Sequence, residues 1–221
     1  IDAIDNSEAL KETRQEFLTR SNLEDRPIIA LMAGSRTGEI SSMMPVFMEF
    51  ADKMHALPQY SGYQFVLAAA PSRSMSDYDK YMAGREGYVK VVFGQSYAVL
   101  RNAEAAVVNS GTASLETALI GTPQVVAYKG AEINFVIAKQ IIKIRFISLG
   151  NLILNRMCFR ELLQYYFTPE NVLQEVRRMI EDNEYRETMQ AGYQEIRNAL
   201  GGRGASAAVA KAMIEELRNS F

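Results

Sequence analysis

The sequence is poor in the residues that build disulfides and metal sites. Its 221 residues include one cysteine, Cys158, and one histidine, His55. A single cysteine excludes an internal disulfide, and with a single histidine it provides too few sulfur and nitrogen ligands for a zinc site. We therefore expect no bound metal, and a reducing, cytoplasmic compartment is the simplest setting.

Excess charge and long apolar runs are also absent. Lysine and arginine number 24 against 26 aspartates and glutamates, a net charge of −2. No positive field is present to gather phosphate backbones, so we expect no nucleic acid partner. The longest apolar stretches, such as Ile28 to Ala33, are far shorter than the roughly 20 residues of a membrane span. The sequence predicts no transmembrane segment.

The N-terminus lacks the features of a natural start. Ile1 to Asp5 contains no initiator methionine, no basic region and no apolar core of a signal peptide. We therefore expect the chain to be a fragment of a longer protein.

The residues that are present form the pattern of a parallel sheet. With 48% hydrophobic and 23% charged residues, the composition is that of an ordinary globular protein. Five short apolar runs predict strands that are buried on both faces: Ile28 to Ala33, Phe65 to Ala70, Val89 to Phe93, Ala105 to Val108 and Gln124 to Tyr128. A sixth strand is expected near Phe146 to Ser148.

Stretches with helical spacing alternate with these runs. They are Ser41 to Leu57, Asp77 to Ala83, Tyr97 to Asn102, Thr112 to Ile120 and Glu132 to Ile142. The alternation predicts an α/β fold with a Rossmann-like, doubly wound, mostly parallel sheet. In such a sheet, ligands bind beyond the carboxyl ends of the strands.

Helices are predicted at both ends of the chain. Ser7 to about Thr19 has amphipathic spacing, and Thr168-Pro169-Glu170 marks a helix start by its capping hydroxyl and following proline. Predicted C-terminal helices cover Pro169 to Glu181, Asn183 to Ala199 and Ala205 to Ser220. We therefore divide the chain into a linker and helix at 1–26, a Rossmann-like domain at 27–168 and a helical segment at 169–221.

The first candidate site follows the first strand and reads Gly34-Ser35-Arg36-Thr37-Gly38-Glu39. Glycines permit a tight turn, and backbone N–H groups at a strand end can face an anion. Arg36 adds a planar guanidinium that can donate two parallel hydrogen bonds to a phosphate. A polar surface turn with a solvated arginine fits the same residues, because neither known phosphate-loop pattern is present.

The second candidate is the segment from Asn109 to Glu116, between the fourth strand and a helix. Ser110 and Thr112 can cap that helix, whose free N–H groups and positive dipole end suit a diphosphate. Glu116 lies one turn after Thr112, where a carboxylate can accept both hydroxyl protons of a ribose. A surface glutamate in a first helical turn remains the alternative.

Two other segments each allow two interpretations. Asn151 stands at a predicted turn, where it could contact a ligand or serve the turn itself. Glu132 to Arg145 combines apolar positions with basic ones, which is typical of a helix lying on anionic lipid and equally of a helix packed on a sheet.

Taken together and in this order, the segments resemble the lipid-A-disaccharide synthase family, which consists of inverting glycosyltransferases of the two-domain GT-B type. Ala30 to Arg36, with Glu39, is similar to the family's L-L-P-G-S-R…E turn, and Val108 to Glu116 to its S-G-T-A-x-L-E motif. Further similar stretches are Gly121 to Tyr128, Ala138-Lys139, Ile147 to Ile153 and Glu161 to Gln164. Two positions depart from the family: Ala33 and Gly150 stand where proline is usual.

The resemblance implies a hexosyl transfer in lipid A biosynthesis. A 2,3-diacylglucosamine unit would pass from UDP-2,3-diacylglucosamine to 2,3-diacylglucosamine 1-phosphate, and this chain would be the C-terminal, donor-binding half. The implied donor-binding residues are Gly34, Ser35 and Arg36 at the diphosphate, Ser110, Gly111 and Thr112 at the receiving helix, Glu116 at the ribose, Asn151, and Glu39 in an unspecified role. Arg36 would also stabilise the leaving group, with neither cofactor nor metal.

The resemblance also implies that part of the active site lies outside this chain. The acceptor site and the catalytic base would belong to the N-terminal half, so we expect this fragment to bind UDP weakly and to be inactive alone. Peripheral contact with the inner face of the bacterial inner membrane is expected, and a homodimer is left open. The alternatives are another GT-B-like UDP-sugar enzyme, such as a UDP-N-acetylglucosamine 2-epimerase, and a non-catalytic flavodoxin-like partner-binding domain.

Overall fold

The computed structural model describes residues 2–130 and 145–201. At its centre lies a six-stranded sheet in the order β3-β2-β1-β4-β5-β6, with every neighbouring pair parallel. The strands are β1 Ile28–Met32, β2 Gln64–Ala69, β3 Val89–Phe93, β4 Ala105–Asn109, β5 Gln124–Tyr128 and β6 Glu161–Leu163. The predicted α/β fold with a parallel, doubly wound sheet is confirmed.

Helices cover both faces of this sheet. The α-helices are α1 Asp2–Asp5, α2 Arg14–Arg20, α3 Thr37–His55, α4 Asp79–Met82, α5 Ser96–Arg101, α6 Thr112–Ile120, α7 Leu149–Leu154, α8 Pro169–Glu181 and α9 Asn183–Ala199. Short 3-10 helices occupy Glu8–Leu10, Pro58–Tyr60, Met75–Asp77 and Gln164–Tyr166. The predicted bounds of α6, α8 and α9 are confirmed.

Successive residues of the strands feed two hydrophobic cores. Ile29 and Leu31 of β1 pack on one face with residues of α3, α8 and α9. Ile28 and Ala30 pack on the other face with residues of α2 and α5. Burial on both faces is why these strands are continuous apolar runs without alternation.

Strand order reverses between β1 and β4, which is the switch point of a doubly wound sheet. Met32 near the end of β1 lies beside Val108 near the end of β4. The residues that follow each strand therefore emerge next to each other at the carboxyl edge. This arrangement brings the two candidate segments together.

Two predicted elements are corrected by the structure. The helix predicted from Ser7 to about Thr19 is broken, because Thr13 caps a separate α2: its hydroxyl accepts from Glu16 N at 3.3 Å, and the Glu16 carboxylate accepts from Thr13 N at 2.8 Å. The sixth strand is not Phe146 to Ser148. Backbone N–H groups there donate to the Glu161 carboxylate, while Glu161–Leu163 itself pairs with β5.

The C-terminal helices α8 and α9 share the core of the sheet. Thr168 caps α8 as predicted, with its hydroxyl accepting from Asn171 N at 3.2 Å. The helices predicted at Glu132 to Ile142 and Ala205 to Ser220 fall outside the described residues. Within 2–130 and 145–201, no helix has the length and apolar character needed to cross a membrane.

Candidate functional site

A cleft of about 370 Å³ opens at the carboxyl ends of β1, β2 and β4. Its walls are the β1 turn, Gly34 to Arg36 with Glu39, and the segment Asn109 to Ala113; Met32, Ala68, Ala70 and Ser96 complete the lining. The volume falls in the usual range of small-molecule sites. Both candidate segments thus line one cleft, at the place where doubly wound sheets bind ligands.

The β1 turn depends on a glycine. Gly34 has φ +90°, a conformation that side chains rarely adopt. A Cβ added there would overlap Glu39 Oε2 and stand 2.7 Å from Asn109 Nδ2. Only glycine therefore allows the chain to pass between these two polar side chains.

Glu39 fills the β1 turn with its own negative charge. Its Oε2 accepts hydrogen bonds from Ser35 N at 3.0 Å and Arg36 N at 3.1 Å, and its Oε1 accepts from Arg36 Nη1 at 2.8 Å. The N–H groups that the sequence suggested for a phosphate thus already hold a carboxylate. Burial alone raises the pKa of the Glu39 carboxyl, but the hydrogen bonds from Arg36 and Ser35 outweigh it and lower that pKa below 4.5.

Arg73, which we did not identify from the sequence, braces the β1 turn. It lies in the loop after β2, and its Nε donates to Ser35 O at 2.7 Å while its Nη1 donates to Thr37 Oγ1 at 3.1 Å. A usable signal existed, since an arginine just after the strand next to β1 reaches the same edge of the sheet. The side chain of Arg36, by contrast, is 83% exposed, and its guanidinium is paired with Glu39.

The turn after β4, Ser110 and Gly111, is open where the β1 turn is filled. We predicted side-chain capping of α6 by Ser110 or Thr112; instead Gly111 is the cap residue and no side chain caps the helix. No acidic residue stands in the first turn of α6. Because the first N–H groups of a helix have no intrahelical acceptor, this end presents donors and a positive dipole end to the cleft.

Asn109, the last residue of β4, is a cleft residue that we did not include among the predicted site residues. Only 7% of it is exposed, and it lines the cleft. Among the residues described, none forms a hydrogen bond with its side-chain amide, which is open to the cleft. Its position in the segment Asn109 to Glu116 was the signal that could have identified it.

Glu116 lies one turn along α6, next to the cleft and outside its lining. Tyr97 donates its hydroxyl proton to Glu116 Oε1 at 2.9 Å, and Tyr97 directly follows Ser96, which lines the cleft. Burial of the phenol is the larger cause, and the hydrogen bond to Glu116 the second, of a rise in the pKa of Tyr97 to about 12. The pair therefore keeps a neutral phenol and an accepting carboxylate at the border of the cleft.

Asn151, predicted to contact the donor, is not brought to the cleft. It is fully buried in α7, where its Nδ2 donates to Phe159 O and Glu161 Oε1, each at 2.9 Å, and its Oδ1 accepts from Cys158 N at 2.7 Å and Phe159 N at 3.3 Å. These bonds use the whole capacity of the amide. Its role in this structure is to hold the chain between α7 and β6.

Gly150, one of the departures from the family pattern, follows from packing. A Cβ at this position would stand 2.8 Å from the ring of Phe159 and 3.0 Å from Ile196 Cδ1. The close approach of α7 to this ring therefore requires glycine. Ala33, the other departure, is buried at the start of the β1 turn.

Comparison with known proteins identifies the family of the chain. The model of the lipid-A-disaccharide synthetase family matches residues 2–214. Lipid-A-disaccharide synthases of Trichlorobacter lovleyi and Myxococcus xanthus are 33% and 36% identical to the chain, over 94% and 93% of its length. The chain spans 54% of each of these relatives, about half their length.

A likeness to solved structures concerns the fold alone. The ADP-heptose lipopolysaccharide heptosyltransferase II of E. coli superposes with a TM-score of 0.57 at 18% identity, over 80% of this chain and 53% of that protein. The parallel sheet is thus shared with a glycosyltransferase. Because the family model covers nearly the whole sequence, the chain belongs to the lipid-A-disaccharide synthase family.

Proposed function

We propose that this chain is the donor-binding half of a lipid-A-disaccharide synthase. The cleft would bind the UDP part of UDP-2,3-diacylglucosamine. The binding site for the acceptor, 2,3-diacylglucosamine 1-phosphate, and the catalytic base would lie in the part of the relatives that this chain does not span. Family membership supports the proposed reaction. The cleft supports the assignment of donor binding to this chain.

The observation that carries the proposal is the open N-terminus of α6 at the switch point. Diphosphates bind where helix N–H groups and the positive dipole end are free. Thr112 and Ala113 line the cleft, and the first turn of α6 holds no competing acid. The exposed guanidinium of Arg36 stands on the opposite wall and would add a positive charge.

The ribose would lie toward Glu116. Its carboxylate accepts one hydrogen bond, from Tyr97, and keeps capacity for more. An acidic side chain that accepts the ribose hydroxyl protons is the usual arrangement in doubly wound nucleotide sites. With the diphosphate at the N-terminus of α6, the attached nucleoside would lie beside the first turn of the same helix, close to Glu116.

In the reaction, a hydroxyl of the acceptor attacks the anomeric carbon of the donor sugar. The bond from that carbon to the diphosphate oxygen breaks, UDP leaves with the bonding electrons, and a base removes the proton of the attacking hydroxyl. Arg36 and the end of α6 would stabilise the charge that develops on the departing diphosphate. Both substrates carry acyl chains, which supports peripheral contact with the inner membrane; a homodimer remains compatible.

Calorimetric titration of the purified chain with UDP tests this proposal. We expect weak binding, with Kd in the range of roughly 0.1 to 1 mM because half of the enzyme's contacts are absent. Uridine, which lacks the diphosphate, should bind far more weakly. No heat and no thermal shift at millimolar UDP would contradict a donor site in this cleft. Turnover by the chain alone would contradict the proposal that the acceptor site and the catalytic base lie outside it.

A further inference from the structure

The side chain of Asn109 is an unused polar group inside the cleft. The residue is more than nine-tenths buried and lines the cleft. Within residues 2–130 and 145–201, no group of the protein pairs with its carboxamide, whose atoms are open to the cleft rather than sealed in the core. An amide that makes no hydrogen bond within the protein keeps its donors and its acceptor for a ligand in the cleft. Asn151 shows the usual state in this same chain, with its amide fully paired.

Asn109 and Glu39 face the same point on the floor of the cleft. A Cβ on Gly34 would stand 2.7 Å from Asn109 Nδ2 and would overlap Glu39 Oε2. The amide of Asn109 and the carboxylate of Glu39 therefore lie close together beside Gly34. Both residues also line the cleft, so a ligand on this side of it can contact both groups.

The chemistry of this pair selects the group that fits there. A phosphate oxygen would be repelled by the carboxylate of Glu39, whereas a hydroxyl can donate its proton to a carboxylate or to the amide oxygen and accept from the amide nitrogen. The diphosphate of the proposed donor would bind at the N-terminus of α6, whose first turn contains no acidic residue. The β1 side of the cleft thus suits a neutral, hydroxyl-bearing group joined to that diphosphate.

We propose that Asn109 is a specificity-determining residue that binds a hydroxyl group of the sugar carried by the nucleoside diphosphate, next to Glu39. The inference rests on the proposed donor site and extends it to the sugar. Sites built to pair a substrate hydroxyl discriminate strongly against ligands that lack it. Asn109 would therefore favour a nucleotide sugar over the free nucleotide.

Titration of Asn109→Ala with two soluble probes, UDP and UDP-N-acetylglucosamine, tests this inference. We expect affinity for UDP-N-acetylglucosamine to fall roughly tenfold, the effect of one lost hydrogen bond in a buried site, while affinity for UDP stays within about twofold. Asn102→Ala is the matched control, because the Asn102 amide donates to Ala98 O away from the cleft. Asn109→Ser keeps a polar group at the strand end and should show the same pattern if the alanine variant folds poorly.

Three other results of these titrations would contradict the sugar contact or the donor site. Equal losses for both probes would assign Asn109 to the nucleotide and overturn the sugar contact. Unchanged binding of both probes would show that Asn109 does not touch the donor. Absence of UDP binding by the unmodified chain would instead contradict the proposed donor site, so the two failures can be told apart.

Discussion

The β1 turn and the turn after β4 are built alike but differ in charge. Each follows a buried parallel strand, leads into a helix and lines the same cleft. In the β1 turn Glu39 accepts from Ser35 N and Arg36 N, whereas α6 begins at Gly111 without any acid in its first turn. The comparison teaches that a glycine-containing turn offers an anion site only where the chain does not supply its own anion.

The largest effect should come from making the open turn resemble the filled one. Thr112→Glu places a carboxylate in the first turn of α6, where it would occupy the free N–H groups and repel a diphosphate. A like charge about 5 Å away costs roughly 3 kcal/mol at an intermediate dielectric, so Kd for UDP should rise about 100-fold. Calorimetry would measure it, with Thr112→Gln as the neutral control. Unchanged UDP affinity in Thr112→Glu would place the diphosphate elsewhere.

The next effect concerns the integrity of the β1 turn. Gly34→Ala forces a side chain into positive φ and into the space of Glu39 and Asn109. We expect the free energy of unfolding to fall by about 2 kcal/mol, as measured by urea denaturation. Gly38→Ala is the control, since nothing lies within 4 Å of its added Cβ. Equal stability of both variants would show that the turn relaxes without cost.

The strands differ in how far they could be predicted from the sequence. The main strands were predictable because burial on both faces leaves continuous apolar runs. The three-residue β6 was not, since Glu161–Leu163 becomes a strand only through pairing with β5. Tertiary contact, rather than local pattern, determines that element.

In the site, single positions were predictable and their mutual contacts were not. Glu39 stands three residues after the cap residue Arg36, which is capping-box spacing. Arginine is not a usual cap residue, so the pattern did not reveal that the carboxylate fills the turn. Arg73 and Asn109 reach the β1 turn from β2 and β4, which are neighbours of β1 in the sheet but distant from it in sequence.

A third prediction separates the nucleoside from the diphosphate along α6. Glu116→Ala removes the proposed ribose contact and leaves the helix end intact. UDP affinity should fall roughly tenfold, the cost of losing hydrogen bonds to a charged group, whereas inorganic pyrophosphate should bind as before. Competition calorimetry with both ligands checks this, and Tyr97→Phe controls for the Tyr97 bond. Equal losses for the two ligands would remove the ribose assignment.

The smallest effect, and the one whose sign matters most, concerns the filled turn. Glu39→Gln keeps an oxygen that can accept from Ser35 N and Arg36 N but removes the charge beside the diphosphate and releases Arg36. UDP affinity should therefore rise about three- to fivefold, with the exposed Glu49→Gln on the same helix as control. A fall would mean that the Glu39 charge organises the site for the donor.

The difference in stability between the unmodified chain and Glu39→Gln should depend on pH in a defined direction. The pKa of Glu39 is lowered in the folded chain, so its carboxylate stabilises the fold above the ordinary value of 4.5, and that contribution is lost as pH falls through the lowered pKa. Urea denaturation should show the unmodified chain more stable than Glu39→Gln at pH 7, with a difference that shrinks below pH 4.5. A constant difference across that window would mean that geometry, rather than charge, is what Glu39 contributes to the β1 turn.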